Sequence, residues 1–171
     1  MTGIASNQLR SAFVAESTAG TTPSSPSFTT SDVPINMTAA PNIVEHRSLA
    51  AKGEAVETAI AGIDVTGNMS GTLVYGAYDT FFESLLQGAY STNVLKSAKT
   101  TKSVTVENAI AAGVGGTLTM MRYTGVEASS GSLTLASNAE IGFSFDLTGM
   151  GSLDTTTSAI GSSSYTDQTE R

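Results

Sequence analysis

Between residues 63 and 75 the chain reads IDVTGNMSGTLVY, and between 141 and 148 it reads IGFSFDLT, with apolar and polar residues exchanging at almost every step. A period of two suits a strand with one buried face, because successive side chains of a strand point to opposite sides. In the first stretch Ile63, Val65, Met69, Leu73 and Tyr75 share the inner face, and Asp64, Thr66, Asn68, Ser70 and Thr72 the wet one. In the second, Ile141, Phe143, Phe145 and Leu147 turn inward beside outward Gly142, Ser144, Asp146 and Thr148. With Leu133 and Leu135 across the turn ASNAE they form a hairpin. KSVTVENAI adds Val104, Val106 and Ile110 on one face against Ser103, Thr105 and Glu107 on the other, and TLTMMRYTGVEA reads as a strand pair or a bent strand.

One helix interrupts the strands. In YDTFFESLLQGAY, Thr80 and Glu83 have capping-box spacing, and Phe82, Leu85, Leu86 and Ala89 form one stripe, which predicts a helix over residues 79–89. Gly67 and Gly71 lie on the apolar face of the first strand, where the missing side chain admits close packing from above, and the helix is the expected neighbour. The expected core is Ile63, Val65, Leu73, Phe82, Leu85, Val104, Val106, Leu133, Leu135, Phe143 and Phe145.

Three segments lack the alternation. Residues 17–34 combine Gly20, Pro23 and Pro26 with Ser and Thr and read as an extended N-terminal arm. Residues 47–62 read as a long connector, with a short helix possible over 50–61; a connector of that length tends to carry a function. Residues 152–171 read as a Ser/Thr-rich tail or linker after a domain spanning 1–151.

Composition narrows the function. At 171 residues and 40% apolar content the chain can bury one real core. It has no Cys, which excludes disulfide and thiolate chemistry. No window approaches the roughly 18 apolar residues of a membrane span, and the start lacks a signal-like apolar run. The net charge is −7, and the only local group of cations is Lys96, Lys99 and Lys102, read as edge protection, so no basic face is available for tight nucleic-acid binding. The single histidine, His46, sits between Glu45 and Arg47 with no nucleophile motif nearby, and the glycine turns GVGG and GMGS lack the Lys of a phosphate loop. Glu54, Glu57, Asp64, Glu107 and Glu127 show no metal-ligand spacing. The residues point to no enzyme site, no metal and no cofactor.

The succession FVAESTAGTTPSSPSF, EHR with a following loop, VTGNMSGTLVYGAYDTFFESLLQGAY, KSVTVENAI, RYTGVEASSGSLTL and EIGFSFDLTGMG resembles the tail tube proteins of long-tailed bacteriophages, over residues 9 to about 151. That resemblance implies a mainly β fold: an antiparallel β-sandwich or barrel with one short packed helix and long assembly loops. It implies a structural virion protein, assembled in the bacterial cytoplasm, whose rings stack into a tube for DNA. The implied partners are other copies of itself in hexameric or pseudo-hexameric rings, tape measure and tail terminator proteins, and double-stranded DNA only in transit, with no membrane binding. It places ring stacking on the loop with Arg47, Lys52, Glu54 and Glu57; the arm with Pro23, Pro26 and Phe28, too long for a simple turn, is expected to make a further assembly contact. The wet-face residues Asp64, Thr66, Asn68, Thr105 and Glu107 are the expected channel lining. A tube subunit of a contractile injection or secretion system shares this logic; a carbohydrate-binding or adhesin β-sandwich would show exposed aromatics, and here the chain carries few.

Overall fold

A computed structural model describes residues 9–47, 56–111, 117–150, 153–160 and 163–168. The strands are β1 (Leu9–Ala15), β2 (Ser27–Thr30), β3 (Ile35–Arg47), β4 (Val56–Thr72), β5 (Tyr90–Ser91), β6 (Val94–Leu95), β7 (Val104–Ala111), β8 (Leu118–Thr134), β9 (Gly142–Gly149), β10 (Leu153–Thr156) and β11 (Ser164–Asp167), and the helix is α1 (Asp79–Leu86). The main sheet runs β11-β2-β1-β7-β8-β9-β4-β3, with β10 also on β8, and folds over to make two layers. Its path is open, so the described residues form no closed barrel, and the pairing of β11 with β2 is parallel in an otherwise antiparallel sheet.

β8 belongs to both layers. Residues 118–126 pair with β7, and residues 127–134 pair with β9. It turns from one layer to the other at Gly125, whose φ of 62° favours glycine; a Cβ there would run into the Met150 side chain. β9 and β10 follow β8 in turn along its other side.

The core lies between the layers. Phe13, Val104, Val106, Tyr123 and Val126 face Ile35, Val65, Met69, Phe143, Phe145 and Leu147, and the helix region closes one end with Tyr78 and Phe81. Rings pack edge to face or tilted at this end: the ring centres of Tyr78 and Phe143 are 4.4 Å apart, those of Phe13 and Phe81 4.9 Å, and those of Phe82 and Phe145 5.0 Å. Such pairs contribute about 0.5–1.5 kcal/mol each beyond area burial.

Most of the expected core is in place, with Leu73, Phe82 and Leu85 half-buried against it. Leu133 and Leu135 are corrections: they lie 48% and 73% exposed, where the β8–β9 hairpin runs past the layer beneath. Ile63 is 36% exposed because β4 leaves the body there.

The helix also differs in detail. It buries Phe81 and Ser84, with Phe82 and Leu85 flanking, while Leu86 and Ala89 are exposed. No side chain caps its N-terminus, and the Glu83 carboxylate accepts instead from the Tyr90 N–H at 2.8 Å. The helix ends where Gln87 turns left-handed and Gly88 N–H reaches Glu83 O. The residues that come closest to Gly67 and Gly71 are Met37, with the Asn36 carbonyl, and Val33; the glycine that admits the helix is Gly131, where a Cβ would strike Leu85 and Phe145.

The connector is shorter than expected. β3 continues to Arg47 and β4 resumes at Val56, so residues 56–62 are strand and not loop or helix; residues 48–55, including Lys52 and Glu54, lie outside the described residues. The Ser/Thr-rich C-terminal segment is likewise no free tail over its described part, since β10 and β11 both join the sheet.

Candidate assembly surfaces

One broad face of the outer layer is predominantly polar. Cross-strand register builds it in rows: Ser132, Ser144 and Ser70; Ser130, Asp146, Asn68 and Asn36; Glu127, Thr148, Thr66 and Thr38. Asp64, opposite Ala40, continues it. The alternation that buries Val65, Met69, Phe143, Phe145 and Leu147 turns these side chains outward. Residues 35–44, 59–75 and 127–149 contain Asp64, Glu127, Glu140 and Asp146 and no Lys or Arg. Ser130 Oγ donates to Asp146 Oδ2 at 2.6 Å, and Thr72 Oγ1 to Glu140 Oε2 at 2.8 Å, which hold two of the carboxylates against the sheet. Of the five expected channel residues, Asp64, Thr66 and Asn68 lie here, exposed and side by side on β4.

Thr105 and Glu107 do not. Both are fully buried on the reverse face of β7 in a second, smaller core with Ala12, Phe28, Ala109 and Met120. Ala12, Glu107 and Arg122 stand in one row across β1, β7 and β8. Glu107 accepts from Arg122 Nε at 2.8 Å, from Arg10 Nη2 at 3.2 Å and from Tyr165 Oη at 2.7 Å. Arg122 also donates to Ser158 O and approaches Asp154, so one carboxylate ties β1, β7 and β8 to the C-terminal strands. The Arg10 guanidinium lies 3.7 Å over the Tyr165 ring, which stacks on Phe28. Burial first, and next the bond to Glu107, hold the Tyr165 hydroxyl above the usual tyrosine range. Polar character made these positions look wet in the sequence. The only signal of burial was an acid and a base at facing places in adjacent antiparallel strands.

The expected arm is docked along much of its length. Phe28 and Pro26 are buried, Pro23 is half-buried, and β2 pairs with β1. Glu16 fastens its start: one oxygen accepts from Gly20 N and Ser103 Oγ, the other from Thr105 Oγ1 and Gly125 N, at 2.7–3.0 Å.

Among the described residues, two edges of the polar layer are open. At one, β3 pairs only with β4. Its first outward groups are satisfied internally, Ile35 by Ser11 and Asn108 and Met37 O by the Tyr123 hydroxyl, and the edge is unpaired further along. At the other, Ala128 N–H donates to Ser84 Oγ, and residues 129–134 have no partner strand on that side. Beyond Val65, β3 and β4 continue as a two-stranded ribbon paired only with each other as far as Arg47 and Val56. It bulges at Asn42/Ile43 and exposes Ile43, Val44 and Ile60, the last at 70%. Arg47 and Glu57, expected to contribute to stacking, lie at its far end.

No curated protein matches the chain in sequence. Among solved structures it is similar to a chain of the anti-feeding prophage (AFP) baseplate, with TM-score 0.59, 9% identity, and coverage of 94% of this chain and 99% of that one. It is also similar to the SPP1 tail tube (TM-score 0.57, 10% identity, 94% and 82% covered) and to the sheath/tube terminator of the extracellular contractile injection system PVC (TM-score 0.55, 10% identity, 91% and 98% covered). At such identities these likenesses establish the fold. The family model for the phage tail tube protein matches residues 6–170. With nearly its whole length matched, and with a fold shared with a tail tube, the chain belongs to the phage tail tube protein family.

Proposed function

We propose that copies of this tube subunit join edge to edge, β3 of one beside residues 129–134 of the next, so that the polar layers form a continuous wall around a channel for DNA. As a tail tube protein the chain is a structural component of the virion tail. Open strand edges are hazards in a monomer and assembly contacts in a ring, because a neighbour supplies the missing backbone partners. The rings are hexameric or pseudo-hexameric. They stack through the β3–β4 ribbon and the segment it carries, which includes Lys52 and Glu54, and they meet tape measure and terminator proteins at the ends of the stack.

The observation that carries the channel assignment is that residues 35–44, 59–75 and 127–149, which build the polar layer, hold Asp64, Glu127 and Asp146 among Ser, Thr and Asn and no Lys or Arg. Every lysine matched to a phosphate adds affinity through counterion release, whereas carboxylates repel phosphate within a Debye length of about 8 Å. Such a wall lets DNA slide. The role is passive, with no catalytic step: the chain's one histidine stands on the ribbon, and its buried acid is consumed in ion pairs. Replacing Thr66 and Asn68 by Lys should leave tubes of normal length in electron micrographs but slow DNA ejection and lower phage titre. An unchanged ejection rate from such tubes would remove these residues from the channel wall.

A further inference from the structure

The chain exposes apolar side chains at both ends of β4. At one end is the ribbon with Ile43, Val44 and Ile60. At the other, immediately after Thr72, a cavity of about 380 Å³ opens among Leu73, Tyr75, Tyr78, Phe82 and Tyr90, with Asp79 at its rim. Tyr75 is 70% exposed there and Tyr90 39%. The cavity is at the small end of the roughly 300–1,000 Å³ range of ligand pockets, so it suits a few side chains rather than a whole element.

We infer that this cavity receives the apolar side chains of the β3–β4 ribbon from a second copy of the chain in the adjoining ring. The inference rests on the tube reading above and names the receiving surface for stacking. A stack of identical rings with one polarity makes a heterologous contact, which needs two different complementary surfaces at opposite ends of the subunit. The ribbon and the cavity are such a pair: the ribbon exposes apolar side chains, the cavity offers Leu73, Phe82 and three tyrosine rings beside the polar Asp79 and Asn93, and they lie at the two ends of the same strand. Lengths agree as well. The overhang from Val56 to Asp64 spans about 30 Å at roughly 3.3 Å per residue, similar to the part of β4 inside the sheet, Val65–Thr72. An isolated two-stranded ribbon is marginal in water, and packing against a neighbour supplies the burial that Ile43, Val44 and Ile60 lack within one subunit.

The chain's lack of cysteine gives a clean test. Ala61→Cys on the ribbon and Asp79→Cys at the cavity rim, both at exposed positions, are combined in the full chain and oxidised after polymerisation. The expected result is a ladder of cross-linked multimers absent from either single variant. Separately, Tyr75→Glu should reduce the sedimentable fraction about tenfold or more, with an unaltered far-ultraviolet circular dichroism spectrum. Tubes that form with free thiols and no ladder, or a Tyr75→Glu chain that polymerises like the natural one, would overturn the docking while leaving the tube reading intact. Failure of the natural chain to form tubes at all would overturn both.

Discussion

Replacing Glu107 by Gln should be among the most destabilising single changes in the subunit that leave its shape unaltered. Glu107 is fully buried, and its carboxylate faces Arg122, whose side chain is 7% exposed. Gln keeps the volume and one acceptor but removes the charge, so the Arg122 guanidinium remains buried with Ser158 O and an Asp154 carboxylate 3.5 Å away. Asp154 is 67% exposed, and a screened pair of that kind contributes at most about 1 kcal/mol. Breaking a buried ion pair from one side costs about 3–5 kcal/mol. For a chain of this length that corresponds to a fall in melting temperature of about 10 °C. Exchanging both partners, Glu107→Leu with Arg122→Met, removes the buried pair together and leaves only Arg10, 30% exposed, without its carboxylate, so it should cost clearly less than the sum of the single changes. Arg10→Ala, at the wetter side of the cluster, should cost about 1 kcal/mol. The measurement is urea unfolding of unassembled subunits, followed by far-ultraviolet circular dichroism because the chain has no Trp. A Glu107→Gln subunit within about 1 kcal/mol of the natural one would refute the cluster as a stabilising tie.

Two further outcomes follow from the packing. Phe143→Ala removes a fully packed ring between Tyr78 and Phe145 and should cost about 3–5 kcal/mol in the same unfolding experiment; an unchanged midpoint would mean that the inner face of β9 is misassigned. Tyr78, Tyr123 and Tyr165 all have hydroxyls whose ionisation is shifted upward, chiefly by burial. The unfolded chain therefore loses these protons at lower pH than the folded one, so their contribution is fully present below about pH 10 and declines as pH rises through the folded values. Unfolding free energy measured from pH 8 to pH 11 should fall above pH 10, and less steeply for Tyr165→Phe; identical slopes would exclude Tyr165.

The sequence made the outer layer readable because one side of it meets water. On β4 and β9 the alternation separates Val65, Met69, Phe143 and Phe145 from Thr66, Asn68, Ser144 and Asp146, and the structure keeps that division. β7 defeated the same reasoning. Both of its faces are covered, so Thr105 and Glu107 are polar without being wet: Thr105 meets Glu16 and Thr22 at the start of the arm, and Glu107 meets Tyr165 from the segment whose Ser and Thr residues suggested a tail. Short strands such as β10 and β11 leave almost no periodic trace, since backbone pairing holds them together with a single anchoring ring, Tyr165. Leu133 and Leu135 misled in the opposite sense: alternation identifies a face, but it cannot tell where along a strand the opposing layer stops. The ribbon was hidden for a related reason, because small residues such as Ala59, Ala61 and Gly62 look like loop when no layer lies beneath them.

The order of strands across the sheet also sets when a newly made chain can become a domain. β1 lies between β2 and β7, so Phe13 waits for Val106 before its strand has both neighbours, and β2 receives its outer partner only when Tyr165 settles beside Phe28. Pairings this distant in sequence close slowly. Until synthesis has passed the last strand, Glu107 and Arg122 lack their lid and the second core is incomplete. The sheet is thus completed last by β11, whose pairing with β2 joins residues far apart in sequence.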